Sequence, residues 1–279
     1  MRFARNYGWR AYAIPVLIVL TVWVLVDVFR PEPESPKPGS ISAQGATEAT
    51  MTGPRPADSD MKEIPNTELP SGAPYTEQGK GTYRTVGKPG AKAGTDHKKV
   101  FRYVVEVEEG LDASVYGGDD AFAAMVDATL TNPKGWTHDK EFGFEHIDAD
   151  DGQTPDLRIQ LSSVGTTHEV CGHDIAMETS CFYSDGNRVM INESRWIRGA
   201  TPFQGDLGAY RQYLINHEVG HGIGFANHVP CTGNGDLAPI MMQQTLSLSN
   251  TELSKINSAE VYKDDGAVCA YNAWPYPRA

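Results

Sequence analysis

The chain has 279 residues, 40% of them hydrophobic and 22% charged, which is enough for one substantial core with appendages. With 24 Lys and Arg against 36 Asp and Glu the formal charge is -12, a balance that repels phosphate backbones and excludes a basic nucleic-acid interface. All four cysteines, Cys171, Cys181, Cys231 and Cys269, fall in the C-terminal 110 residues; their even number suits two disulfides outside the cytoplasm.

The chain begins with Arg2, Arg5 and Arg10 ahead of an uncharged run, AYAIPVLIVLTVWVLV, and Asp27 is the only charge between Arg10 and Arg30. Twenty steps of about 1.5 Å span roughly 30 Å, a bilayer core. The basic residues before the run predict an inside N-terminus, so residues 1–10 are expected in the cytoplasm, 11–29 as a single-pass transmembrane anchor, and the rest outside. A cleaved signal peptide is the alternative and gives a secreted domain; the run is long for one, and DVFRPEPE follows it in place of a small-residue cleavage site. No cysteine follows the run, which excludes a lipoprotein anchor.

Nine of the eighteen prolines lie between Pro31 and Pro74 among Ser, Thr, Gly and Glu, so residues 30–79 read as a disordered spacer and residues 80–279 as the folded domain. Phe101, Tyr103, Val105 and Val107 alternate with polar residues, interrupted only by Val104, and predict a strand. Residues 117–131 have an acidic first turn and then Phe122, Met125, Val126 and Leu130 at helical spacing. Asp148-Ala-Asp-Asp-Gly152 lacks calcium-loop spacing and reads as an acidic turn before a strand at Leu157, Ile159 and Leu161. Residues 181–192 predict a hairpin turning at Ser184-Asp185-Gly186-Asn187. Tyr210, Leu214, His217 and His221 then fall on one helical face and Ile215, Val219 and Ile223 on a second, which predicts a helix buried on both sides. A last helix is expected over residues 251–262 with Asn250 as its N-cap.

Residues 217–228 read HEVGHGIGFANH. His217 and His221, four apart, lie about 40° apart in azimuth and about 6 Å along a helix axis, close enough to share one ion. Glu218 points off that line, where it can serve as general base without being a ligand. A continued helix would leave His228 about 10 Å beyond His221, so the helix must end first, and Gly222 and Gly224 offer places to fold back. Three imidazoles and an open position suit one catalytic Zn2+.

HEVGHGIGFANH resembles the HExxHxxGxxH site of metzincin peptidases, in which a methionine turn lies beneath the metal. Ala238-Pro-Ile-Met-Met-Gln-Gln-Thr245 is the matching turn, with Met241 the first choice for the floor and Met242 the second. The segments YVVEVEEGL, KGWT, INESRW, YLINHEVGH and IMMQQTLSL resemble an actinobacterial family of exported metzincin-like domains of unknown function, over roughly residues 80–279. The resemblance implies an α+β metzincin-like domain, with a twisted sheet and helix ahead of the metal-binding helix and methionine turn. It also implies a zinc-dependent peptidase acting on a peptide or protein near the cell surface. Two departures stand out. The motif's third histidine position is Asn227, and the histidine comes one residue later, so either His228 binds through a longer turn or Asn227 supplies an oxygen; imidazole is the better zinc ligand. No tyrosine closely follows Met241, so no phenolic oxyanion donor is assigned. The competing reading is an inactive zinc-containing cell-surface binding module.

Cys171-Gly-His173, Cys181 and His168 could be drawn as a second metal site, but in an exported domain a short-loop Cys171–Cys181 disulfide is favoured, which leaves Cys231 for Cys269; three pairings are formally possible. His97, His138 and His146 have no partners at ligand spacing and read as surface or packing residues.

Overall fold

A computed structural model describes Thr21, Val22, Asn66 and residues 68–150, 152–172 and 177–279. The expected anchor at 11–29 lies outside the described residues except for Thr21 and Val22, and no helix among the described residues is long and apolar enough to cross a membrane. The end of the expected spacer is bound to the domain: Thr76 N donates to Glu193 Oε2 at 2.6 Å, and Gly79 N to Ser163 Oγ at 2.9 Å.

The domain is α+β, built on a seven-stranded mixed sheet. In chain order the strands are β1 (Tyr83–Thr85), β2 (Lys92–Ala93), β3 (Lys99–Glu108), β4 (Phe142–His146), β5 (Leu157–Ser162), β6 (Cys181–Tyr183) and β7 (Arg188–Asn192). Their order in the sheet is β2-β4-β3-β5-β7-β6, with β1 also paired to β3. The inner pairs β3/β4, β3/β5 and β5/β7 are parallel, and the short strands β1, β2 and β6 add antiparallel. The expected alternation places Phe101, Tyr103, Val105 and Val107 in the main core with Leu157, Ile159 and Leu161. Glu106 and Glu108, in the alternate register, are also buried, and their carboxylates are satisfied. Glu106 takes Arg158 and Gln160, while Glu108 takes the backbone N–H of Gly81 and Ser163 and the Thr166 hydroxyl.

The helices are α1 (Ala113–Tyr116), α2 (Asp119–Leu130), α3 (Val164–Cys171), α4 (Glu193–Arg198), α5 (Leu207–Gly222) and α6 (Asn250–Ile256). The helix expected over residues 117–131 begins later, because Gly117 is the left-handed cap of α1 and Gly118, also at positive φ, precedes α2. The hairpin turns where expected, with Asn187 N bonded to Ser184 O. The last helix is shorter than expected: Ser249 caps its start, and beyond Ile256 the Asn257 side chain accepts Ala259 N, an Asx turn that competes with another helical turn. The acidic turn at 148–152 is held in part by Asp150 N on Asp148 Oδ1.

The longest helix among the described residues, α5, packs against α2, β6 and β7, and is buried from Tyr213 through Gly220. Full burial of Leu214, Ile215 and Val219 contributes about 1.5–3 kcal/mol each before entropy is charged. That anchorage holds the last two turns, which carry His217, Glu218 and His221, against the sheet. Residues 229–279 form a second layer around a smaller core of Ala238, Met242, Leu246, Leu253 and Tyr262.

Candidate metal centre

Two turns of α5 carry His217, Glu218 and His221. The helix ends at Gly222, and Gly224, at φ +117°, takes a backbone conformation that a side chain would strain. Phe225 N reaches back to Gly220 O at 2.9 Å, so the chain reverses within three residues of the helix end. His228 is thereby returned to the two helical histidines. One nitrogen from each of His217, His221 and His228 lies within 4.8 Å of the others, and the ring centroids are 4.9, 5.1 and 5.5 Å apart. Asn227 is exposed.

The hydrogen bonds fix which nitrogens are free. His217 Nδ1 donates to Ile240 O at 2.8 Å, His221 Nδ1 to Phe225 O at 2.8 Å, and His228 Nδ1 bonds Glu260 Oε2 at 3.0 Å. A carbonyl or carboxylate oxygen can only accept, so each Nδ1 carries the proton and each Nε2 keeps its lone pair in the neutral ring. Burial holds the His217 pKa well below the ordinary imidazole value, with His221 and His228 adding to the effect. His221 is lowered too, by burial and then by His228. Both rings are therefore neutral near pH 7, the form that ligates a cation.

Glu218 lies beside them, buried, with no hydrogen bond to its carboxylate from another described residue, and desolvation pushes its pKa up to about 8. It lines a cavity of about 450 Å³ together with all three histidines, within the range of small-molecule and peptide side-chain sites. One wall is Thr179, Ser180, Cys181 and Phe182, leading into and along β6; the other is Tyr213, Gln243, Thr245 and Leu246. The Tyr213 hydroxyl is committed, donating to Met242 O and accepting Gln244 N, both at 2.9 Å.

Of the two methionines, Met241 is the one packed on the helix. A Cβ added at Gly220 would lie 2.5 Å from Met241 Sδ and 2.8 Å from Trp136, so glycine is what lets the turn approach. Met242 faces the smaller core. The cysteines pair as Cys171–Cys181 and Cys231–Cys269, which removes Cys171 and Cys181 from any second metal site. His168 is paired with Glu178 at 2.9 Å, and His173 lies outside the described residues. His146 is buried, stacked on Tyr103 and 2.9 Å from Asp127, and His97 bonds Phe142 O.

Sequence reasoning missed the three acceptors behind the rings. Two are backbone carbonyls, which leave no trace in residue identity. The third, Glu260, fell within the helix expected over residues 251–262, which ends at Ile256.

The family described as "Protein of unknown function (DUF3152)" matches residues 69–277. No curated protein and no solved structure matches the chain.

Proposed function

The chain belongs to the DUF3152 family, and from the site it carries we propose that it is a zinc-dependent peptidase of metzincin type, with one ion on His217, His221 and His228 and Glu218 as general base. The observation that carries this reading is the set of three Nδ1 hydrogen bonds, which leaves three Nε2 lone pairs free close to one another, beside a buried carboxylate that has no hydrogen bond from another described residue. Such a donor set fits zinc, and among the described residues no fourth His, Cys, Asp or Glu joins the group, as an open catalytic site requires. When bound, zinc would supply a Lewis acid that polarises a carbonyl oxygen and acidifies water in the open position. Glu218 would then accept the proton of the attacking water and return it to the leaving nitrogen, a role open to a carboxylate placed beside the three imidazoles in the cavity.

A peptide substrate is favoured by the cavity wall. Strand β6 ends the sheet, bonded to β7 on one side only, and its residues line the cavity. An extended peptide can pair with such an edge and so be laid across the histidines. In this reading the domain lies outside the cytoplasm and its substrate is a peptide or protein near the cell surface, which the two disulfides and the expected anchor at 11–29 support.

The second reading is a zinc-containing binding module without turnover. It draws on the committed hydroxyl of Tyr213, which leaves no phenol of the cavity wall free to stabilise an oxyanion. The test is zinc stoichiometry of the purified chain followed by a cleavage screen over denatured proteins and peptide libraries. Glu218→Ala should retain zinc and lose about 10²–10⁴-fold in turnover. Equal cleavage by wild type and variant would reject the mechanism, and no cleavage by zinc-loaded wild type would make the binding module the better reading.

A further inference from the structure

Two of the three imidazoles rest their Nδ1 protons on neutral carbonyls close to the helix, while His228 rests its proton on a carboxylate 32 residues further along the chain. His228 is also the ring whose place in the sequence departs by one residue from the metzincin spacing, and the loop that carries it is no longer helical. Its own backbone therefore does not fix its ring as α5 fixes His217 and His221. Glu260 is placed for that task by several neighbouring contacts. Asn257 ends α6 and accepts Ala259 N on its side chain, Glu260 N bonds Asn257 O, and Tyr262 OH accepts Gln243 N. The Glu260 carboxylate itself makes no hydrogen bond to any described residue other than His228, so the fold does not otherwise need it.

We infer that Glu260 is a positioning residue for the third ligand. It fixes the His228 tautomer and ring plane, and as an anion it raises the donor strength of Nε2 towards the cation. The inference rests on the metal site proposed above and adds to it a residue that acts through His228 without touching the ion. A carboxylate behind a ligating imidazole typically changes metal affinity by about 10- to 100-fold.

The test uses the full chain and zinc ion competed against a chelator of known affinity, with nitrogen NMR of the histidine rings in the metal-free protein. Glu260→Ala should bind zinc about 10- to 100-fold more weakly. Glu260→Gln, whose amide oxygen can still accept the Nδ1 proton, should fall between the two. In metal-free Glu260→Ala, His228 should lose its preference for the Nδ1–H form while His217 and His221 keep theirs. Affinity within twofold of wild type and an unchanged His228 tautomer would overturn the inference while leaving the three-histidine site standing. Loss of all three tautomers together, with no rescue by Gln, would also overturn it, by showing a general collapse of the layer. A wild type that binds no zinc would reject the site itself and this inference with it.

Discussion

From β1 to α5 the backbone pairs in ladders and helices, whereas residues 229–279 contain one seven-residue helix among their described elements and pair through scattered single backbone bonds and through side chains. Asn250 accepts Cys231 N and donates to Cys231 O, and the Gln244 side chain likewise accepts Asn272 N and donates to Asn272 O. Only single bridges, Leu237 with Ala270 and Ser249 with Val268, resemble a sheet there. The first layer is held by apolar burial spread over many residues, and the second by a smaller apolar core together with buried amides and the Cys231–Cys269 bond. The candidate metal centre straddles both: the sheet layer carries His217, His221 and Glu218, the turn between the layers carries His228, and the loop layer supplies the acceptors Ile240 and Glu260. Damage to either layer should thus reach the centre, but by different routes.

The largest expected effect comes from the sheet side. His217→Ala and His221→Ala should each abolish tight zinc binding while α5 stays folded, since two ligands do not replace three in an open site. Zinc content equal to wild type in either variant, measured on the purified chain, would remove the site assignment. Next comes the staple of the loop layer. Its 38-residue separation predicts a loss of about 4 kcal/mol when Cys231 and Cys269 are both changed to Ser, against about 3 kcal/mol for the 10-residue Cys171–Cys181 loop. Denaturant titration of both double variants checks the order, and zinc affinity should fall more in the first. If the short-loop variant were the less stable, the claim that the loop layer depends more on its bond would fail. The smallest effect is expected at Asn227→Ala, where the exposed side chain has no role in the cluster and zinc affinity should stay within about twofold, because exposed substitutions rarely exceed 0.5 kcal/mol. A large loss there, with none at His228→Ala, would reverse the reading of the third ligand.

The same division governs how much could be read from the sequence. Strands β3 and β5, the hairpin and α5 announce themselves through period-two or period-3.6 patterns, because each buries a regular face against one layer. Strand β4 escaped, since five residues following a 3-10 turn become a strand only through their parallel pairing with β3, a partner about 40 residues away. Helices α3 and α4 escaped as well; they are eight and six residues long and are fixed by the caps Ser163 and Asn192 more than by periodicity. At the site, the motif and the need for a glycine reversal pointed to His217, Glu218, His221 and His228, and the structure brings these four together. Which ring nitrogen is free, and what Glu260 touches, depended on long-range contacts that no local pattern encodes.

The Cys231–Cys269 bond also imposes an order in time. A chain emerging from synthesis offers β1 to β7 first, then α5 with its two histidines, and only afterwards His228, Glu260 and Cys269. Until that last cysteine is delivered and oxidised, the loop carrying the third ligand has no covalent tie, and the nascent protein holds a finished sheet beside an unfinished centre. In the proposed reading metal capture by all three imidazoles is thereby a late step of maturation, since a chain cut short before residue 228 encodes every strand described above with only two of the three imidazoles.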